Sequence, residues 1–305
     1  MGEAIDVFDR QLVRRRRDRA AARLGGHDFL FREVAERLAD RLDDMARGFP
    51  VALDLGCRGG SLARALEGRG GIETLVQSDL SPAMAGVAAA NGRPTLAADE
   101  EALPFAPACF DLALSALSLH WVNDLPGALI QIGQALKPDG LFIGAMLGGE
   151  TLHELRGALM GAEIAEEDGA SPRISLFADV RDAGALLQRA GLALPVVDVD
   201  SITVTYPDLL ALMHDLRAMG ETNAVNTRRR NPSRRATLRR AAAIYRDRFG
   251  QADGRLPATF QVIYLTAWAP HAEQPQPLKP GSARFRLAEA LDAEEISAGE
   301  KARPK

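Results

Sequence analysis

The sequence predicts an α/β fold: a mostly parallel sheet with helices on both faces. Three observations carry this. Between Val51 and Leu147 short apolar runs alternate with stretches of helical period; those runs are apolar throughout; and the first of them breaks into glycines, VALDLGCRGGSLARAL, where a helix should start. Strands that are apolar on both faces and separated by helices belong to a parallel sheet covered on both sides.

Taken in order, residues 10–47 read as helix, with Phe29, Leu30, Val34, Leu38 and Leu42 on one stripe. The arginine run Arg14 to Arg17, with Arg19 and Arg23, reads as a solvated helical face. Strands fit 51–55, 74–79, 110–117 and 140–147, with a shorter one at 95–98. Helices fit SLARALEG, SPAMAGVAAANG and DLPGALIQIGQALKPDG, the last with Asp124 as N-cap, Pro126 in its first turn, and Pro138 and Gly140 as stops. After Gly149 come a helix (ETLHELRGALMGAEIAEE), a loop (SPRISLF), a second helix (DVRDAGALLQRAGL) and a strand pair or one long bent strand (VVDVDSITVTY). Residues 207–249 are mostly helical, and TFQVIYLTAWA closes the sheet. The expected organisation is an N-terminal helical cap over 1–48, a main domain over 49–270 with a helical lid insert at 207–249, and a flexible tail over 271–305, rich in proline and charge.

Composition narrows the function. A chain of 305 residues with 47% hydrophobic residues buries one large core, and a net charge of −4 gives no global pull toward nucleic acid or an anionic membrane. No nucleic-acid partner is expected. Cys57 and Cys109 make no disulfide framework or zinc cluster, and no metal site is expected. No transmembrane segment or leader is expected, and the predicted compartment is cytoplasmic. Residues 217–248 hold ten arginines against two acids, and 150–200 hold ten acids against four arginines; the two segments either neutralise each other or dock an acidic partner.

Four features describe a ligand. Asp54 ends the first strand beside Gly56, where a pyrophosphate would meet an unwelcome charge and a sulfonium or ammonium group a welcome one. Asp79 ends the second strand, placed to accept both hydroxyls of a ribose. Asp99 follows the third strand, within reach of an adenine amine, and His120 and Trp121 follow the fourth. An adenosine with a cationic amino-acid tail, S-adenosylmethionine, satisfies all four. The only His-x-acid unit, His271-Ala272-Glu273, has no histidine after it, so an iron facial triad is not visible.

The stretches LDLGCRGG, SDLSPAM, ADEEALPF and FDLALSALSLHWVNDLPGALIQIGQALKPDGLFIGAM resemble the class I methyltransferases, including the malonyl-carrier-protein methyltransferase of biotin synthesis. FDRQLVRRRRDRAA, LGGETLHELRGAL, SPRISLF, YPDLLALMHDLRAMGETNA and LPATFQVIYLTAW resemble the assembly factor 5 family of respiratory complex I across residues 6–270. The resemblance implies a Rossmann-like class I methyltransferase fold with a seven-stranded, mostly parallel sheet and S-adenosyl-L-methionine as cofactor. It implies an enzyme that modifies a protein side chain in complex I assembly, with a complex I subunit as partner. The alternatives are arginine hydroxylation on the same fold and cofactor, O-methylation of a carrier protein, and a non-catalytic assembly chaperone. Expected cofactor contacts are Asp54, Gly56, Cys57, Gly59, Gly60, Asp79, Leu80, Asp99, Glu100 and Ser115; His120 is the catalytic candidate, against a role as pocket wall, and Trp121, Tyr206, Asn223 and Asn226 are the substrate candidates. The loop departs from Gly-x-Gly-x-Gly in carrying Arg58 between Gly56 and Gly60, with Gly59 extra, so Arg58 is expected to turn its side chain outward.

Overall fold

In a computed structural model, residues 6–167, 169–175, 177, 180–275 and 291–293 are described. The chain divides into a large unit, Met1–Pro270, and a small one, His271–Lys305. Most of the expected tail, together with Leu176 of SPRISLF and Ala178 and Asp179 after it, lies outside the described residues.

The N-terminal segment is two helices. Asp9 caps α1 (Arg10–Ala21), its Oδ1 accepting from the Leu12 amide at 2.9 Å. A 3-10 turn at Leu24–Gly26 breaks the period, and α2 (Phe29–Asp43) resumes it with Leu30, Phe31, Val34, Leu38 and Leu42 buried. Next come β1 (Val51–Leu55), α3 (Ser61–Ala65), β2 (Thr74–Asp79), α4 (Pro82–Ala89), capped by the Ser81 hydroxyl, β3 (Thr95–Ala97) and β4 (Phe110–Ala116). Helix α5 (Leu125–Ala135) has the expected Asp124 cap and gives way at once to β5 (Leu136–Leu147). Pro138 and Gly140, expected to stop that helix, therefore lie inside β5, near the register shift between Phe110 and Leu112. Then follow α6 (His153–Glu167), α7 (Val180–Arg189) and β6 (Ala193–Tyr206), a single strand with one irregularity between Ala193 and Val196. Helices α8 (Leu209–Ala218) and α9 (Arg235–Phe249) fill the chain before the last strand, β7 (Leu256–Trp268).

The seven strands lie in the order β3-β2-β1-β4-β5-β7-β6. The first five are parallel, and β7 runs antiparallel to both β5 and β6. The order reverses between β1 and β4, and in open sheets of this kind the crevice beyond the strand ends at that reversal is where ligands bind. One apolar layer joins α2, α6, α8 and α9 to one face of the sheet, and a second joins α5 and α7 to the other. Among the described residues no helix is long and apolar enough to cross a membrane.

Arg14, Arg15, Arg19 and Arg23 are exposed, as a solvated face requires, but Arg17 of the same run is not. Val13, Arg17 and Ala20 form the buried stripe of α1, and Arg17 is 0% exposed. A helix that lays one face on the sheet edge buries whatever occupies that stripe, and here one member is an arginine.

Candidate functional site

The crevice is lined by acids at strand ends, and each has a different fate. Asp54 lies at the end of β1, in register with Gln77 of β2, and is fully buried. Neither carboxylate oxygen has a hydrogen-bond partner among the described residues. Burial pushes its pKa up to about 7, against the Gln77 amide and with the Asp79 carboxylate. The hydroxyls of Ser78 and Ser115, both buried at this edge, also lack partners among the described residues.

Asp79 ends β2 with both oxygens engaged. Its Oδ1 accepts from the Ser81 amide at 2.8 Å and its Oδ2 from the Arg58 amide at 3.0 Å. Arg17 Nη1 approaches Oδ1 at 3.4 Å and donates to Glu100 Oε1 at 3.0 Å, while its Nη2 donates to Ser118 Oγ at 3.0 Å. Ser118 in turn donates to Glu100 at 2.5 Å, and Arg10 donates to Asp99 and to the other oxygen of Glu100. Burial alone would raise the Glu100 pKa, but Arg17 and Arg10 hold it well below the usual carboxylate range.

The glycine loop is tight. Gly56 has φ +75°, and a side chain there would overlap Ser118. A Cβ on Gly59 would come within 2.5 Å of Leu24 Cδ2. Gly60, at φ +73°, is the residue before α3, and the Cys57 thiol is buried with its pKa pushed up. Leu80 packs against the small cluster of Phe8, Val13 and Trp121. Arg58 does not turn outward: at φ 51° it buries its side chain, with Nη2 bonding Glu221 and donating to the Leu117 carbonyl at 3.0 Å.

Glu221, which the sequence reading passed over, is the centre of the second half of the site. Besides Arg58 it accepts from Trp121 Nε1 at 2.8 Å and meets His120 Nε2 at 3.2 Å. Burial opposes its ionisation, yet Arg58 and His120 hold its pKa down to about 2. His120 is buried, and burial lowers its pKa against the pull of Glu221. The Leu147 amide donates to Nδ1 at 3.5 Å, which leaves Nε2 as the protonated nitrogen facing Glu221. Both ring nitrogens are thus occupied, an arrangement that suits a pocket wall better than a free base. Glu221 and Trp121 border a cavity of about 240 Å³ whose apolar side includes Leu147, Leu155, Met213 and Phe260.

Asn223 lines that cavity, its Nδ2 donating to the Pro172 carbonyl at 2.7 Å. Asn226 and Tyr206 do not belong to its lining: the Asn226 amide donates to the Asp6 carbonyl at 2.7 Å, and the Tyr206 hydroxyl donates to Asp215 at 2.7 Å. Both are structural ties. The opposite charges of the lid and α6 meet directly, Arg229 donating to Glu167 at 2.5 Å and approaching Glu163 at 3.4 Å, a neutralising contact.

Residues 53–144 match the family model of the methyltransferase domain. The chain is 46% identical over 291 residues to the mitochondrial arginine-hydroxylase NDUFAF5 of Danio rerio, covering 94% of this chain and 90% of the relative. It is 36% identical over 291 residues to a malonyl-[acyl-carrier protein] O-methyltransferase of a Methylovorus species, covering 92% and 96%. Among solved structures, the YcgJ protein of Bacillus subtilis superposes with a TM-score of 0.53 at 16% identity, over 78% of this chain and 99% of that one, a likeness of fold. S-adenosylmethionine is the cofactor of such a domain, and the donor set suits it: an unpartnered buried carboxylate at Asp54, a strand-end acid at Asp79 and a glycine loop. Given its 46% identity across nine-tenths of both sequences, the chain belongs to the NDUFAF5 family of methyltransferase-fold proteins.

Proposed function

We propose that this chain is an S-adenosylmethionine-dependent enzyme that modifies an arginine side chain of a respiratory complex I subunit, at the mouth formed by Glu221 and Trp121, with His120 buried against Glu221. The observation that carries this reading is Glu221, a buried carboxylate already bonded to the Arg58 guanidinium on the wall of a cavity large enough for a side chain. A guanidinium matches a carboxylate through two parallel donors, and an incoming arginine would take up Glu221 by displacing Arg58. The name of the Danio rerio relative supports arginine as the target.

In this reading Asp54, Gly56, Cys57, Gly59, Gly60, Asp79, Leu80, Asp99, Glu100 and Ser115 surround the cofactor, and the segment 207–249 is the lid. When bound, the cofactor supplies an electrophilic methyl group. Trp121 and His120 exclude water from the mouth, and Asn223 meets the substrate chain beside it. The 1–48 segment caps the crevice. Both cysteines are free thiols, which suits a reducing compartment; we propose the cytoplasm.

The test is the mass of tryptic peptides from the complex I subunit nearest the quinone site, compared between parent cells and cells lacking this gene. A gain of one oxygen on an arginine, lost on deletion, establishes hydroxylation; one methylene establishes methyl transfer. No difference, with complex I still failing to assemble, overturns an enzymatic role in favour of a chaperone. The carrier-protein relative supports a second reading, which biotin auxotrophy on deletion would favour.

A further inference from the structure

We propose that Asp79, Glu100 and Ser118 form a guanidinium-binding site, and that Arg17 of the same chain occupies it in competition with the adenosyl end of the cofactor. The competition rests on the cofactor reading above; the guanidinium site itself does not.

Arg17 is built into this site. It is 0% exposed and lies on the inward stripe of α1 between Val13 and Ala20. Its two terminal nitrogens are spread over three acceptors: Nη1 on Glu100 and Asp79, Nη2 on Ser118. Only a planar fork reaches both sides in this way; an ammonium is a single point. Arg10, two turns earlier on the helix, takes the second oxygen of Glu100, so that carboxylate is shared between two guanidiniums.

The occupied acids are those an adenosine would need. A carboxylate at the end of the second strand holds ribose hydroxyls in nucleotide-binding sheets. Here Oδ1 of Asp79 serves Ser81 and Arg17, and Oδ2 serves the Arg58 amide, so three of the carboxylate's roughly four acceptor positions are taken and a ribose that donates through both hydroxyls must displace Arg17. The loop backbone is also packed against side chains, Leu24 beside Gly59 and Ser118 beside Gly56. Only Asp54, with two unpartnered oxygens among the described residues, remains for the cationic end of the ligand. The adenosine end of the crevice is therefore closed by a group on α1, while Asp54 at the methionine end is buried and its oxygens have no hydrogen-bond partner among the described residues. A ligand that binds only the open form has an apparent affinity reduced by the fraction of molecules that are open.

The experiment is calorimetric titration of S-adenosylhomocysteine into the full chain and into Arg17→Ala, with amide hydrogen exchange across α1 in the unmodified protein. Arg17→Ala is expected to bind about tenfold or more tightly than the parent. Saturating the parent with the nucleoside is expected to speed exchange in α1. Methylguanidinium at millimolar concentration is expected to raise the melting temperature of Arg17→Ala and to weaken nucleoside binding to it competitively, with neither effect on the parent. Equal binding by the two proteins with α1 still protected overturns the competition, and no response of Arg17→Ala to methylguanidinium overturns the site. Stabilisation by methylguanidinium with no nucleoside bound by either protein keeps the site and places the failure on the cofactor reading. Should Arg17→Ala fail to fold, the exchange measurement on the parent decides: faster exchange in α1 supports the competition and unchanged exchange overturns it.

Discussion

Asp54 and Glu100 stand on one sheet edge, both fully buried, in opposite electrostatic states. Glu100 is clasped by Arg10, Arg17 and Ser118 and is held ionised far below its ordinary pKa. Asp54 has no partner among the described residues, and burial lifts it to about 7. Burial is common to both, so the difference comes from the supply of counter-charge. The region around β2 and the Glu100 turn satisfies itself, whereas the region at the end of β1 is left for something that arrives.

The largest expected effect breaks the satisfied side. Glu100→Gln leaves Arg10 and Arg17 short of a shared counter-charge in a buried place and should cost about 3–5 kcal/mol in urea unfolding. Asp54→Asn tests the other side through pH. The folded pKa of Asp54 is raised from 3.8 to about 7, so the native state holds a proton that the unfolded state has released across that window. Stability should therefore fall as pH rises from 4 to 7. Asp54→Asn lacks that proton and should gain on the parent between pH 4.5 and pH 8 by on the order of 2 kcal/mol, read as a flatter stability profile.

Glu221 sharpens the comparison with the opposite sign. Its folded pKa is depressed from 4.5 to about 2, so its contribution is present above 4.5 and is lost as pH falls toward 2. Glu221→Gln should cost roughly 1–2 kcal/mol at pH 7 and nothing at pH 2, by denaturant midpoints at each pH. The smallest effect is expected at the surface, where Arg69 meets Asp40 at 2.9 Å in solvent. Arg69→Ala should leave the thermal midpoint unchanged within error, because water and salt screen such pairs.

The strand ends of the fold were legible because apolar runs and glycine breaks are local signals. Val51–Leu55 and Thr74–Asp79 appear in the structure with the bounds their composition suggested. Asp54 was legible for the same reason: an acid closing an apolar strand contradicts its surroundings. The role of Arg17 was not, since a run of arginines reads as solvated until the stripe of Val13 and Ala20 is seen to pack inward. Glu221 left no local signal. It lies in a polar stretch, and only the folding of residues 219–226 back toward the sheet sets it against Arg58, 163 positions away in sequence. A signal was available in AMGETNA, where one acid stands near the start of a segment, 217–248, that holds ten arginines against two acids. The end of α5 misled for a different reason: Pro138 and Gly140 are good helix stops, but Leu136 had already paired with Phe110.

The antiparallel pairing of β6 with β7 reaches its far end at Tyr206 and Leu256, and everything between them leaves and returns through that one gate. The ladder holds the two ends of the excursion together whatever lies in it. The chain-entropy cost of a closed segment grows slowly, by about 0.6 kcal/mol for each doubling of length. Closure entropy therefore sets little limit on the length of 207–255; what ties the segment to the sheet is the face of α8 and α9 packed in its apolar layer. Glu221 and Asn223 travel with that segment while Asp54 and Asp79 stay on the strands, so a change in the segment reshapes the cavity wall and leaves the ends of β1 and β2 as they were.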